Sequence, residues 1–162
     1  MSDAKPVIGF VGVGLMGHGM AKNIVEKGYP LTVTAHRNRA PVDDLIGRGA
    51  TEASLEDLAS RSTIIFFTLP GSPQVAEAVA RMIPHLKPGS VIVDCSTSDP
   101  TVTERLAADL ATKGVHFGDD TNIVIASGGA RFFPGRPVSA TIADSVTADD
   151  PDTVAISVTL DF

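Results

Sequence analysis

Residues 9–20 read GFVGVGLMGHGM, in which Gly12, Gly14 and Gly17 form G-x-G-x-x-G. The motif ends a mostly apolar run, Val7 to Val13, of the kind a strand buried on both faces requires. From Leu15 to Lys27 the period changes. Met16, Met20, Ile24 and Ala21, Val25 recur at helical spacing, and Gly28 closes the helix. A chain of this pattern must leave a strand, turn tightly and enter a helix. Gly12 permits the turn, Gly14 without a Cβ lets a bound group reach the backbone, and Gly17 lets helix and strand pack closely. Free N–H groups and a partial positive charge gather at the helix start. The group that fits is a dinucleotide pyrophosphate, and Gly12, Gly14, Leu15, Met16 and Gly17 are its candidate contacts. The bland alternative is a glycine-rich turn with no ligand.

The end of the second strand, Leu31 to Thr34, selects between nucleotides. A ribose 2′-hydroxyl is usually read there by Asp or Glu. This chain has Ala35-His36-Arg37-Asn38-Arg39, with no carboxylate until Asp43. Arg37 and Arg39 are suited to pair with a 2′-phosphate and Asn38 to hydrogen-bond it. NADP(H) is therefore favoured over NAD(H), with His36, Arg37 and Asn38 as candidate contacts. The alternative is that these are solvated loop residues.

Strand and helix patterns then alternate to about residue 117. Pro41 marks a helix start, with Val42, Leu45 and Ile46 as its apolar face before Gly49. Ser54 with Asp57 predicts a capping box for a short helix through Ala59. Ile64 to Leu69 is an apolar strand stopped by Pro70-Gly71. Ser72-Pro73 is expected to cap a helix whose core face is Val75, Val79, Met82 and Ile83. Ser90 to Asp94 is a further strand. Pro100 opens a helix with Val102, Leu106 and Leu110, closed by Gly114, and Val115 to Phe117 begins another strand. Such alternation predicts an α/β fold: a Rossmann-like doubly wound parallel sheet, helices on both faces, and a ligand crevice at the carboxyl ends of the strands.

Residues 1–117 are read as this dinucleotide-binding domain. Residues 118–162 read as an irregular β-rich tail adding strands to the same domain. The tail holds Asn122 to Ala126, a Gly128-Gly129 turn, and a closing run from Val154 to Leu160 that alternates as a half-exposed strand does.

The 162-residue length fits one domain or slightly more. A net charge of −6 argues against nucleic acid or an anionic membrane as partner. Cys95 is the single cysteine, so no intramolecular disulfide forms. It sits at a predicted strand end and reads as a small half-buried residue. The start MSDAKPVIGF lacks a signal-peptide pattern, and no transmembrane span is legible, so a cytoplasmic location is expected. No metal-ligand set is assigned.

The run Phe10-Val-Gly-Val-Gly-Leu-Met-Gly-His-Gly-Met-Ala-Lys-Asn23 resembles the N-terminal signature of the β-hydroxyacid dehydrogenases. Phe67-Thr-Leu-Pro70 is similar to that family's strand ending in Leu-Pro. Val93-Asp-Cys-Ser-Thr97 with Pro100 is similar to its Asp-x-Ser-Thr-x-x-Pro segment. The resemblance is continuous over residues 7–117. It implies an oxidoreductase of a small hydroxy acid or semialdehyde, and it puts Leu69, Pro70, Gln74 and Thr97 around the nicotinamide half of the cofactor. Each also has a bland reading, as a strand end, a solvated helix residue or a turn.

After Phe117 the chain departs from the family pattern. Gly118-Asp-Asp-Thr-Asn stands where family members carry Asp-Ala-Pro-Val-Ser-Gly-Gly. Ser127-Gly128-Gly129 is instead similar to a later strand-then-Gly-Gly element, which would make Arg136-Pro-Val a helix and Ile142 to Val146 the next strand start. The resemblance also implies a general acid/base lysine on a long helix, with an asparagine one turn on. The last lysine here is Lys113 and the last asparagine Asn122, and Ser157-Val-Thr159-Leu-Asp161-Phe stands near the expected place. No catalytic residue is assigned. Lys22 and Lys27 read as solvated, and His18 as a group that touches phosphate or caps the turn. The family's helical domain has no counterpart in the sequence, which predicts an exposed apolar face and self-association or a partner. The alternative function is a non-catalytic dinucleotide-binding module.

Overall fold

A computed structural model describes residues 5–118 in full and, as backbone, residues 119, 121–126, 129–137, 141–146 and 153–157. Six strands build the main sheet: β1 (Ile8–Val11), β2 (Leu31–Val33), β3 (Thr51–Glu52), β4 (Ile64–Phe67), β5 (Val91–Asp94) and β6 (His116–Asp119). Their order is β3-β2-β1-β4-β5-β6, and every neighbouring pair is parallel. Five helices connect them: α1 (Leu15–Glu26), α2 (Ala40–Gly47), α3 (Leu55–Arg61), α4 (Ser72–Met82) and α5 (Pro100–Ala111).

The apolar strands follow from this layering. Successive side chains of a strand point to opposite faces. Ile64 and Phe66 pack with Ile8, Phe10, Met20, Ile24, Val42 and Leu45, on the face covered by α1 and α2. Ile65 and Phe67 pack with Leu58, Val79, Met82, Ile92 and Leu110, on the face covered by α3, α4 and α5. A strand buried on both sides has no solvent face to mark with polar residues, hence the unbroken IIFF. This is the doubly wound fold expected from the alternation. Chain order along the sheet reverses between β1 and β4, which places the ligand crevice at their carboxyl ends.

Local signals behaved unevenly. The Ser54 hydroxyl accepts from the Asp57 N–H at 3.1 Å, as the capping pattern predicts, and α3 runs on to Arg61. Such a cap contributes about 1 kcal/mol. Ser72 does not cap α4. It is the first helical residue, Gly71 stands at the cap, and the Ser72 hydroxyl accepts instead from the Asp99 N–H at 2.6 Å. β1, β2, β4 and β5 are shorter than the runs that announce them. The run from Val7 yields only Ile8–Val11, because Gly12 turns to φ 96°. β3 is a two-residue exposed edge strand with no apolar pattern to announce it.

The tail strands are β7 (Thr121–Ala126), β8 (Gly129–Pro137), β9 (Thr141–Val146) and β10 (Thr153–Ser157), in a second sheet ordered β8-β7-β10-β9. All its pairings are antiparallel. The helix expected from Arg136 is replaced by strand, because this segment pairs with β7, Pro137 standing opposite Thr121. The expected strands at Asn122–Ala126 and from Val154 fall in β7 and β10. The start of the Gly128-Gly129 turn and residues 158–160 lie outside the described residues.

Candidate dinucleotide-binding site

The turn from β1 into α1 is wedged against the end of β4. Gly12 has φ 96°, a region that disfavours any side chain, and a Cβ there would overlap the Thr68 carbonyl. A Cβ on Gly17 would overlap the Gly12 carbonyl and the Thr68 hydroxyl. That hydroxyl donates to the Gly12 carbonyl, and the Thr68 N–H donates to Val11 at 3.0 Å. Both glycines are therefore demanded by the protein's own packing. Gly14 differs: a Cβ there would meet nothing within 4 Å. The space over Gly14 is open, as close approach of a ligand to the backbone requires.

Gly14 is also the N-cap of α1, with no side-chain cap and no acidic residue in the first turn. The first helical bond runs from the His18 N–H to the Gly14 carbonyl at 2.8 Å. The N–H groups of Leu15, Met16 and Gly17 thus lack intrahelical acceptors. An anion at this end is favoured by the helix dipole and by those donors. Leu15 is 99% exposed and Met16 49%, an apolar rim beside the turn. A pyrophosphate fits this donor set.

His18 does not reach back to cap the turn. Its Nε2 donates to Asp44 of α2 at 2.8 Å. Asp44 also accepts from Arg48, which pairs with Glu26 of α1. Arg48 and His18 hold the Asp44 carboxyl below its usual range. This surface network ties α1 to α2.

At the end of β2, His36, Arg37 and Asn38 are exposed. The two arginines part ways. Arg39 donates to both oxygens of Glu52 on β3, at 3.0 and 2.9 Å, and to Asp43 at 3.1 Å. It is committed within the protein, so it is not a free reader of a 2′-phosphate. Arg39 holds the Glu52 carboxyl below the usual glutamate range. A depressed carboxyl pKa gives a pairing that is present above the ordinary range and lost as pH falls below it. Asn38 Oδ1 accepts from the Ala40 N–H at 3.2 Å. Arg37 has no side-chain hydrogen bond or ion pair among the described residues.

On the other side of β1, half-buried Leu69 and exposed Pro70 follow β4, and exposed Gln74 lies in the first turn of α4. Leu69 Cδ2 lies 3.2 Å from where a Gly12 Cβ would stand, so it adjoins the glycine turn. Thr97 is exposed in the loop after β5. These loops are held by bonds that no apolar pattern marks. The Leu69 N–H donates to Ser96 Oγ at 2.8 Å. Asp94, fully buried, accepts from the Ser96 N–H at 2.9 Å and from the Ser98 hydroxyl at 2.6 Å. The spacing Asp94, Ser96, Ser98 is an Asx-turn signal that was available in the sequence. Half-buried Cys95 packs against the core.

Lys5, Lys27, Lys87 and Lys113 all stand shortly before strands β1, β2, β5 and β6, at the edge opposite this site. Lys22 is on α1, 3.9 Å from Glu26. No helix among the described residues is long and apolar enough to cross a membrane.

A parallel sheet of this order, with an uncapped glycine turn at its switch point, defines a nucleotide-binding α/β protein. The chain belongs to the family of the NAD binding domain of 6-phosphogluconate dehydrogenase, whose model matches residues 7–130. It is 34% identical over 119 residues to mitochondrial 3-hydroxyisobutyrate dehydrogenase of Bos taurus, covering 72% of this chain and 35% of that one. It is 32% identical over 112 residues to the NAD-dependent L-serine dehydrogenase of Pseudomonas aeruginosa, covering 67% and 37%. A crystal structure of a proposed oxidoreductase from Mycobacterium avium 104 matches with TM-score 0.67 at 32% identity, covering 74% of this chain and 42% of that one. The chain thus spans little more than a third of the length of these curated relatives. The family match extends past Phe117, into the segment whose sequence departs from the β-hydroxyacid dehydrogenase pattern.

The glycines predict separable effects. Gly17→Ala is expected to cost about 3 kcal/mol or more in urea unfolding, by overpacking. Gly14→Ala should cost no more than about 1 kcal/mol, as a poorer N-cap, yet weaken nucleotide binding. Equal destabilisation by both, with equal loss of binding, would contradict the assignment of different roles.

Proposed function

We propose that the chain is the NADP(H)-binding part of a β-hydroxyacid dehydrogenase-type oxidoreductase acting on a small hydroxy acid or semialdehyde. The nucleotide choice is carried by the different fates of two neighbouring arginines. Arg39 is taken by Glu52 and Asp43, whereas Arg37 is exposed and unpaired among the described residues. A 2′-phosphate is a complementary partner for such a guanidinium. The carboxylate that reads a 2′-hydroxyl is missing from the strand end, and Glu52 on the next strand is already paired. In this reading Gly12, Gly14, Leu15, Met16 and Gly17 border the pyrophosphate. His36, Arg37 and Asn38 border the adenosine ribose, and Leu69, Pro70, Gln74 and Thr97 border the nicotinamide. The substrate class is supported by the two curated relatives, named for 3-hydroxyisobutyrate and L-serine, both β-hydroxy acids.

The nicotinamide, when bound, supplies hydride exchange at its C4. A proton must move on the substrate oxygen in step with it, which needs an acid/base group within hydrogen-bond reach. The chain's lysines stand away from the crevice, four of them at the opposite edge of the sheet. That observation favours a second reading for this chain by itself: a module that binds nucleotide without turnover. The single cysteine suits the cytoplasmic location that goes with either reading.

The chain has no tryptophan, so NADPH and NADH fluorescence can be followed without that background. NADPH is expected to bind at least about tenfold more tightly than NADH, and Arg37→Ala to remove most of that difference, as loss of a charge-assisted hydrogen bond would. Equal affinity for the two nucleotides would overturn the choice. The purified chain should bind NADPH yet leave succinic semialdehyde, glyoxylate and tartronate semialdehyde unreduced in a 340 nm assay. Robust turnover would refute the non-catalytic reading.

A further inference from the structure

We propose that Asp94 and Ser96 are positioning residues that lock the loops after β4 and β5 into one rigid wall for the nicotinamide half of the nucleotide. The inference rests on the dinucleotide reading of the glycine turn. It does not depend on which of NADP(H) and NAD(H) is preferred.

The wall's place follows from the order of the strands. The pyrophosphate lies over α1, between β1 and β4, and the group that reads the adenosine ribose sits at the end of β2. The other half of a dinucleotide must then extend away from β2, over the ends of β4 and β5. The loops that meet it there are Leu69–Pro70 and the segment from Cys95 to Asp99.

Neither loop is held by its own strand's ladder alone. The Leu69 N–H lies just past β4, and its acceptor is the Ser96 hydroxyl at 2.8 Å. Ser96 is in turn fixed because its N–H donates to Asp94 at 2.9 Å. The second Asp94 oxygen takes the Ser98 hydroxyl at 2.6 Å. Further out, the Asp99 N–H donates to Ser72 Oγ at 2.6 Å, a second link that ties the end of the β5 loop to the start of α4, just past Leu69–Pro70. Asp94 is fully buried, and a buried carboxylate is tolerated where several donors meet it. A hydroxyl that merely faced solvent would need no such support. Two cross-links and a buried anchor make the loops move as one body, so the surface is preformed when nucleotide arrives.

The test separates positioning from general stability. Calorimetry would compare wild type and Ser96→Ala against whichever of NADPH and NADH binds more tightly. The same proteins would be titrated with the matching ADP-ribose, which ends where the nicotinamide would begin. Ser96→Ala is expected to weaken the full dinucleotide about threefold to tenfold, the range for one lost hydrogen bond. ADP-ribose affinity should stay within about twofold, and Ser96→Thr should restore dinucleotide affinity. Asp94→Asn should act in the same direction where it folds, and Ser96→Ala carries the test where it does not. Equal weakening of both ligands, or no change in either, would overturn the proposal. Wild type that binds neither ligand would overturn the dinucleotide reading itself.

Discussion

The contact between the glycine turn and the end of β4 governs the geometry of the crevice. Gly12 and Gly17 pack on Thr68 so closely that neither tolerates a Cβ, and the Thr68 hydroxyl bonds back to Gly12. That contact sets where α1 starts, and so where its unpaired N–H groups point. It also occurs where the strand order reverses, so the same few atoms that close the turn open the crevice. Gly14, the middle glycine, is spared from packing and left facing open space.

From this point the site is built outward by pairings between strands that are neighbours in space. On the β2 side, Val33 pairs with Glu52 of β3, which brings the Glu52 carboxylate to Arg39 and leaves Arg37 exposed. On the β4 side, Phe67 pairs with Asp94 of β5, and the Asp94–Ser96 turn reaches back to Leu69. The two flanks therefore differ in character. One presents a cation, and the other presents hydroxyl-braced backbone beside an apolar strand end. A nicotinamide dinucleotide is asymmetric about its pyrophosphate in the same sense, with the adenosine ribose and its 2′-substituent on one side and the nicotinamide on the other.

What was legible in the sequence follows from the range of the interactions. The glycine turn, the alternation of strand and helix, and the Ser54 cap depend on residues a few positions apart, and the sequence pattern carried them. The Ser72 hydroxyl has the local pattern of a cap, yet its partner, the Asp99 N–H, is 27 residues away. By sequence alone Arg39 is as suited to a 2′-phosphate as Arg37, because its partner Glu52 lies 13 residues on, beside β2 only through a two-residue strand with no apolar signature. The Ser96–Leu69 link likewise spans 27 residues. In the tail, strand patterns at Asn122–Ala126 and from Val154 were visible, but the pairing of β8 with β7 that turns Arg136 into strand was not. Local chemistry was readable; which loops share a bond was set by sheet order.

The central claim is that a dinucleotide pyrophosphate lies on the start of α1. The most direct test is an amide-resolved NMR titration of the chain with NADPH. The account predicts saturable shifts centred on Gly12, Gly14, Leu15, Met16 and Gly17, spreading to Arg37 and to Leu69. The amides of Gly28, Gly89 and Gly114, at the opposite edge of the sheet, should stay still. Absence of shifts at the turn, or a response centred on that opposite edge, would contradict it.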